Sequence, residues 1–389
     1  MTNAPIPSLR VKRIQTAAFA VGLLGLAAVV PAFVNDKAQF YPSYLVAYLF
    51  WTGISIGALG FLLLQGLVGG AWGFLLRREL EAGASLLALM AVMFVPFASG
   101  LPKLYSWANA EVVKGDALLQ HKAGYLNGPF FLGRAAFYFA VWIGLAVLMS
   151  RLSSKQDETG DPETGAAMAR WSAPGMVLFV LTVSFAGMDW VMSLQPKWFS
   201  SLYGALFMVG HGLSAMSFMA AVVIWLSEEK PVSEAASPGR LHDLGNLMLA
   251  FTMLWAYMSF SQFLLIWYGN LPEEISFYLR RMEGPWGPMA LFLIVFHFFF
   301  PFFLLLFRRN KKNASALFYI SLAILLVRFI DLIWQVKPVF GNAPFHWLDL
   351  AAWLGIGGLW TGGFFWRLQQ RALLPQRDPI FPPQIGAVP

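Results

Sequence analysis

Ten long apolar runs, separated by short polar or aromatic breaks, occupy most of this 389-residue chain: about 14–33, 44–68, 83–101, 128–150, 171–190, 201–226, 243–267, 286–307, 314–335 and 346–366. A helix needs about 20 mostly apolar residues to cross the hydrocarbon of a bilayer, and the runs are of that order. Little chain remains for a soluble domain. The pattern predicts an all-α integral membrane protein of about ten transmembrane helices.

The breaks alternate in character. On one side they are short and charged: LLRRELEAG, SRLSSKQDETGDPETG, SEEKPVSEAASPGR and FRRNKKN. The stretch 151–170 reads as a polar, mobile linker and the Pro-rich tail 375–389 as irregular. On the other side lie two longer excursions, 101–127 and 268–285, rich in aromatics and proline. They read either as an ordered docking surface or as caps on the bundle. A weak repeat relates them. Leu101-Pro102 and Gly128-Pro129 bracket the first, Leu271-Pro272 and Gly284-Pro285 the second. Asp189 precedes Pro196, and Asp331 precedes Pro338, by seven residues each. The matches place helices two to five over helices six to nine, a parallel repeat because four spans restore the orientation. GISIG (53–57) and GLWTG (358–362) have the small-xxx-small spacing of close helix packing.

Composition sharpens this picture. The chain is 58% apolar and only 12% charged, about half the charged share of a typical soluble domain. A net charge of +7 raises the question of nucleic acid, but its distribution argues against that partner. Seventeen of the 27 Lys and Arg fall on the side that holds both termini, eight on the other and two inside helices. The positive-inside rule then places both termini in the cytoplasm, with anionic membrane lipid as the basic residues' neighbour. The first apolar run is longer than a signal h-region and is expected to remain as a helix. There is no cysteine, so the chain holds no disulfide, thiolate-bound iron–sulfur cluster or covalently attached c-type haem.

Ionisable groups inside the runs are the chemical candidates. Each costs at least about 2.5–3.5 kcal/mol near a helix centre, so it is expected to face the bundle interior or a wet cavity. They are Arg134, Asp189, His211, His297, Arg328, Asp331 and Asp349. At 1.5 Å per residue, His211 and His297 lie roughly 15 Å deep and Arg134 roughly 9 Å. Asp189 and Asp349 sit close to the outer boundary. A series of histidines and carboxylates running outward can pass protons or hold a polar ring. One track is expected to join Arg134, Asp189 and His211, and a second His297, Arg328 and Asp331. In the cytoplasmic half Asp243, Asn246, Tyr257, Ser259, Ser261, Gln262 and Tyr319 are candidate relays. Structural readings stand beside these. Arg328 and Asp331 are spaced as an i, i+3 ion pair, Asp349 as an interface residue, and Trp190, Trp198, Trp286, Trp334 and Trp347 as an aromatic belt. Equal depth also permits the two histidines to ligate a haem. No hydrolase, metalloprotease, nucleotide-loop or paired-carboxylate metal motif is present, so no catalytic or metal-binding residue is assigned.

Four stretches resemble a known family: HKAGYLNGPFFLGRAAFYF (121–139), FAGMDWVMSLQPKWFSSLYG (185–204), MLAFTMLWAYMSFSQFLLIWYGNLPEE (248–274) and GPWGPMALFLIVFHFFFPF (284–302). They look like the second quinol-subunit type of bacterial alternative complex III, which is similar to the NrfD/polysulfide-reductase membrane anchors. The resemblance runs from helix two through helix ten. It implies two four-helix bundles plus two flanking helices: 1–43 with the first flanking helix, 44–200 and 201–342 as bundles, 343–389 with the last helix and tail. It implies a non-redox subunit of a quinol:cytochrome c, or other acceptor, oxidoreductase in the bacterial cytoplasmic (inner) membrane. The implied partners are a sister NrfD-like quinol subunit and, on the external side, a peripheral iron–sulfur protein with multihaem and monohaem cytochrome c subunits. Implied ligands are menaquinone or its quinol and structural phospholipid, none bound covalently. In that setting Arg134, Asp189, His211, His297, Arg328 and Asp331 become candidates for a proton path or quinol site. A proton-coupled secondary transporter and a purely structural anchor remain the competing readings.

Overall fold

The computed structural model describes residues 9–377, and all regular structure among them is helical. Near and far denote the faces where α1 starts and where it ends. The chain rises in α1 (Leu9–Asn35) and returns in α2 (Lys37–Val68). Asp36 makes the reversal: its side chain accepts the Gln39 N–H at 3.2 Å and caps α2. The third span is broken at Leu86 into α3 (Ala71–Ser85) and α4 (Leu87–Ser99). Then follow α5 (Gly128–Thr159), α6 (Pro162–Trp190), α7 (Tyr203–Leu226) and α8 (Pro238–Gly269). An amphipathic far-face helix, α9 (Pro272–Met282), leads into α10 (Trp286–Leu293). A π turn (Ile294–Phe299) joins α10 to α11 (Phe300–Leu306). The chain closes with α12 (Ala314–Val336) and α13 (Trp347–Leu368).

Among the described residues nine of these segments are long and apolar enough to cross a membrane. The tenth run is also a helix, α13, of 22 residues, but its five glycines and four tryptophans make it less apolar than the nine. The protein is thus an all-α, multi-pass membrane protein by length and composition of its helices.

Burial ranks the spans. The most apolar 18-residue stretch is 94% buried in α2 and 89% in α7, against 22% in α1 and α8. So α2 and α7 form the centre. α2 packs on α3, α4, α6, α12 and α13, and α7 on α2, α6, α8 and α12. The small-residue seams are real close approaches. A Cβ on Gly358 would come within 2.3 Å of the Gly22 nitrogen, and one on Gly355 within 2.8 Å of the Leu26 nitrogen, so α1 and α13 touch backbone to backbone.

Two near-face expectations change. The stretch 151–170 is not a mobile linker. α5 runs on to Thr159, Gly160 takes the left-handed conformation at φ 65°, and Asp161 caps α6 with Pro162 at its first position. Stop and start signals sit side by side, so the hairpin has almost no loop. LLRRELEAG is not a loop either. It is the body of α3, where Arg78 reaches Glu81 at 3.0 Å and also pairs with Asp157, and Arg371 reaches Glu81 at 3.1 Å. Buried Ser153 and Gln156 pack in the same layer. Of the tail expected to be irregular, 375–377 form non-helical turns, the Gln376 N–H donating to Asp157 at 2.9 Å, and the remainder lies outside the described residues.

The aromatic belt is also different. Trp190, Trp198 and Trp286 are buried and Trp334 is partly buried, while Trp347 alone of the five is exposed. The first excursion folds over them through short helical turns. Tyr105 donates to the Trp190 carbonyl at 2.7 Å, the Trp107 indole donates to Ser193 at 3.2 Å, and Lys122 donates to the Pro196 carbonyl at 2.6 Å. Trp198 stacks on Phe277 of α9 at 3.9 Å. These indoles fill the space between the spans and the far-face cover instead of marking a lipid boundary.

Gly358→Leu is expected to force α1 off α13 and lower stability by about 1–3 kcal/mol. Gly133→Ala, where nothing lies within 4 Å of the added carbon, is expected to leave it unchanged. Unfolding of both variants in mild detergent, followed by circular dichroism, checks this; equal midpoints would contradict the seam.

Candidate functional site

Two arginine–aspartate pairs organise the far half of the molecule. In the first, Arg134 of α5 grips Asp189 of α6 with both Nε and Nη2, at 2.8 and 2.9 Å. This is the two-pronged geometry that guanidinium and carboxylate share. The Tyr138 hydroxyl adds a third hydrogen bond to Asp189 at 2.8 Å. Tyr125 and Phe130 stack on the guanidinium, 3.8 and 4.4 Å from its carbon. Asp189 is 1% exposed. Tyr138 lies four residues after Arg134, on the same helical face, a spacing visible in the sequence once Arg134 is assumed to face inward.

The second pair lies on one helix. Arg328 and Asp331 of α12 bond across a single turn, and Gln335 one turn on donates to Asp331 at 2.8 Å. Tyr203 donates to Gln335 Oε1 at 3.0 Å. Both Asp189 and Asp331 stand in the last turns of a helix that ends in a 3-10 turn, Met192–Leu194 in one case and Lys337–Val339 in the other. The two aspartates therefore match in position, although Arg134 comes from the preceding helix and Arg328 from the same helix as its partner.

His211 does not join the first pair. A Cβ on Gly53 would fall 2.1 Å from its Nδ1, so α2 surrenders a side chain to admit the imidazole. The ring of Phe207 covers it at 4.1 Å. Its neighbour Gly210 makes equivalent room for Arg328, whose Nη2 would stand 2.4 Å from a Cβ there. Arg328 also approaches Ser214 Oγ at 3.5 Å. So Arg328 reaches across to the His211 turn, and the expected partition into two tracks gives way to one cluster on α7 and α12. The physical reason is helix rotation: the glycines at 53 and 210 turn His211 toward α2 and open α7 to α12.

His297 lies in the π turn, with its ring 3.8 Å from that of Trp255 on α8. Pro301 has no N–H to offer the His297 carbonyl four residues earlier, and the ladder widens there. The two imidazoles pack against different helices, His211 against α2 and His297 against α8. Both nitrogens of each are buried without a hydrogen-bond partner.

The relay candidates do not converge. Tyr257 and Tyr319 are each 69% exposed and face outward. Asp243 is half exposed beside His242, and Asn246 accepts from Lys311 at 2.7 Å at the near face. Counting up α8 from Pro238 puts Ser259, Ser261 and Gln262 in the far half, not the near half. Gln262 there accepts from Ser200 at 3.0 Å and donates to Tyr278 at 3.1 Å. Asp349 is structural: it accepts from Lys337 at 2.7 Å and from the His346 N–H at 2.8 Å, closing the first turn of α13.

Arg281 reads in the sequence only as loop charge, yet it is 1% exposed. It donates to Gln195 Oε1 at 2.9 Å and to the Gln335 carbonyl at 2.5 Å, with Phe277 stacked 3.5 Å away. Burial pulls its guanidinium down to about 9, which leaves it charged at neutral pH, and burial pushes the nearby Tyr278 phenol up to about 12. The amphipathic run of α9, from Pro272 with its two glutamates to the arginines, is the readable signal.

Between α8, α10 and α12, with α7 and α9 behind, lies a cavity of about 640 Å³. Its walls are mostly aromatic and aliphatic, and Asp331, Gln335, Tyr203 and Gln262 reach its lining. It falls within the roughly 300–1,000 Å³ range of small-molecule sites. No group of three or more His, Cys, Asp or Glu side chains suited to hold a metal occurs among the described residues.

These features define a class: a multi-pass helical membrane protein with paired intramembrane ion sites and an apolar cavity in its far half. No protein-family model matches the chain, and no curated protein is significantly similar to it.

Removing one partner of a buried pair leaves the other charge stranded, at about 3–5 kcal/mol. Asp189→Leu is expected to destabilise by that order, and R134M/D189L to regain most of the loss. Denaturation of both in detergent tests this; a double variant as weak as the single one would mean that the pair is not the stabilising unit.

Proposed function

We propose that this chain is a non-redox membrane subunit of a quinol:acceptor oxidoreductase complex of the alternative complex III type. In this reading it lies in a bacterial cytoplasmic membrane with both termini inside, so the far face is external. A sister NrfD-like subunit is its neighbour in the bilayer. A peripheral iron–sulfur protein and multihaem and monohaem cytochrome c subunits dock on the external cover formed by 101–127 and α9. The electrons run in those partners, since the cysteine-free chain has no thiolate to hold a cluster.

The observation that carries the reading is the matched pair of buried Arg–Asp sites, Arg134–Asp189 and Arg328–Asp331. A parallel duplication of a four-helix unit leaves equivalent sites at equivalent depth, each at the external mouth of its own bundle. Quinol oxidation releases protons where the electrons leave. A proton released there would be taken up by the carboxylate only as its arginine lets go, with Tyr138 or Gln335 as the neutral donor beside it. His211 and His297 lie deeper behind these mouths. The four stretches that resemble the second quinol-subunit type contain Arg134, Asp189 and His297, and this supports the same assignment.

Purification of the tagged chain in mild detergent, with an optical redox spectrum of the eluted peak, tests the reading. Reducible c-haem absorbance with iron–sulfur and multihaem chains in the same peak is expected. A colourless chain eluting alone, from membranes whose haem chains remain intact, would sink the complex and favour a proton-coupled transporter. Within an assembled complex Asp189→Asn is expected to slow proton release by roughly 10²-fold. Unchanged turnover and release would make the chain a structural anchor.

A further inference from the structure

We propose that a small recess on the near face, where α3, α5 and the end of α13 meet, binds one free tetrahedral oxyanion of the phosphate type. The site lies at the opposite end of the molecule from the Arg–Asp pairs and does not rest on the function proposed above.

The recess has a volume of about 60 Å³. A water molecule takes roughly 30 Å³ of the liquid, so the space suits two waters or one small anion. Its polar lining is Arg78 and Glu81 of α3, Ser150 of α5, and Arg367, Gln370 and Arg371 at the end of α13. Arg367 stands in the last turn of α13 and Arg371 four residues on, so the two guanidiniums reach the recess from successive turns of chain. Neither is used up. Arg371 gives Nη1 to Glu81 at 3.1 Å and to the Ser150 carbonyl at 3.3 Å; among the described residues its Nε and Nη2 have no partner. Its side chain is 36% exposed, so these donors are open to a ligand. Arg367 gives Nε to Ser85 and Nη1 to Gln370 Oε1, both at 3.1 Å, which leaves Nη2 and the Gln370 Nε2 free.

Charge selects the ligand class. The lining holds three guanidiniums and one carboxylate. Glu81 is already held by Arg78 and Arg371, and Asp157, outside the lining, pairs with Arg78. Three positive charges thus meet two negative ones. Arg367 has no carboxylate partner among the described residues, and it carries the excess. A cation is repelled there. A guanidinium fork matches the oxygens of an oxyanion, and oxygens at the corners of a tetrahedron can meet Arg367, Arg371 and Gln370 together. A lipid phosphate brings acyl chains, for which the lining offers only Ala82 and Leu368. The free anion is therefore the occupant. Once bound, it fastens the chain after α13 to α3 and α5, next to the Gln376 N–H that donates to Asp157.

The probe is radiolabelled orthophosphate, titrated by equilibrium dialysis against the full chain in phosphate-free detergent buffer of fixed ionic strength. One saturable site per chain is expected, and replacing the supporting salt with chloride is expected not to displace it. Bound phosphate is also expected to slow trypsin cleavage after Arg371 at least fivefold, mapped by mass spectrometry. Arg367→Gln keeps a donor but removes the uncompensated charge, and is expected to weaken binding at least tenfold. Arg377→Gln, outside the recess, is expected to leave it unchanged. In phosphatidylcholine nanodiscs the affinity is expected to be the same with and without phosphatidylglycerol. Occlusion by phosphatidylglycerol would give the recess to a lipid headgroup and overturn the proposal. Uptake that does not saturate, that chloride abolishes, or that leaves cleavage after Arg371 unchanged would mean an adventitious ion only, and would overturn it equally. The wild-type titration and cleavage decide the matter even if Arg367→Gln fails to fold.

Discussion

Hydrocarbon offers a buried charge neither water nor counterion, and much of this molecule is arranged around that constraint. An arginine that enters the membrane must find both its opposite charge and its hydrogen bonds within the protein. Arg134 finds them in Asp189, the Tyr125 carbonyl and two aromatic faces. Arg328 finds Asp331 one turn away. The space these groups need is taken from the backbone of neighbouring helices, which is why glycine faces His211 at position 53 and Arg328 at position 210. Between them, charge pairing and glycine set the distance and rotation of α2, α7 and α12.

The same constraint sorts the helices into a core and a shell. The enclosed helices α2 and α7 carry no acidic residue and, apart from tyrosines, only two ionisable groups: Lys37 at the first residue of one and His211 in the other. The arginines and aspartates sit on α5, α6 and α12, which surround them. The polar ends of the site are then sealed by the far-face cover, where Arg281 ties α9 to both the Gln195 turn and the end of α12. A cavity survives beside this seal because α8 leans on α11 and the π turn while α10 packs on α12, leaving their far halves apart.

Much of the architecture is legible in the chain because an apolar run is a one-dimensional property. Each of the ten runs is a helix, and the capping chemistry at Asp36 and Asp161 stands where the runs break. Rotation is what a single sequence hides. The facing of a helix depends on neighbours distant along the chain, so His211 groups by depth with Asp189, while Gly53 and Gly210 turn it toward α2 and Arg328. Tyr257 and Tyr319 pass for interior relays because hydropathy does not distinguish a tyrosine that faces lipid from one that faces protein. Tryptophan is equally ambiguous: the same side chain serves a lipid boundary or a dry interior, and Trp190, Trp198 and Trp286 take the interior. Charged stretches read as loops, but Arg78 and Arg371 together neutralise Glu81 and Asp157, and Arg78 and Glu81 lie buried. At the candidate site the residue types are foreseeable, and so are the i, i+4 companions Tyr138 and Gln335 once the inward face is known.

The partners of each ion pair are also close along the chain. Arg134 and Asp189 belong to α5 and α6, a single hairpin with a two-residue turn, and Arg328 and Asp331 share one helix. Membrane helices are threaded into the bilayer in order, largely as they are made, and an isolated arginine or aspartate resists that transfer. Here each charge arrives with its neutralising partner in the same hairpin or the same helix. The segment crossing from the translocation machinery into lipid can therefore be nearly neutral before any distant helix exists to receive it. The pairing that holds the finished structure is, by its locality, also what lets the helices enter.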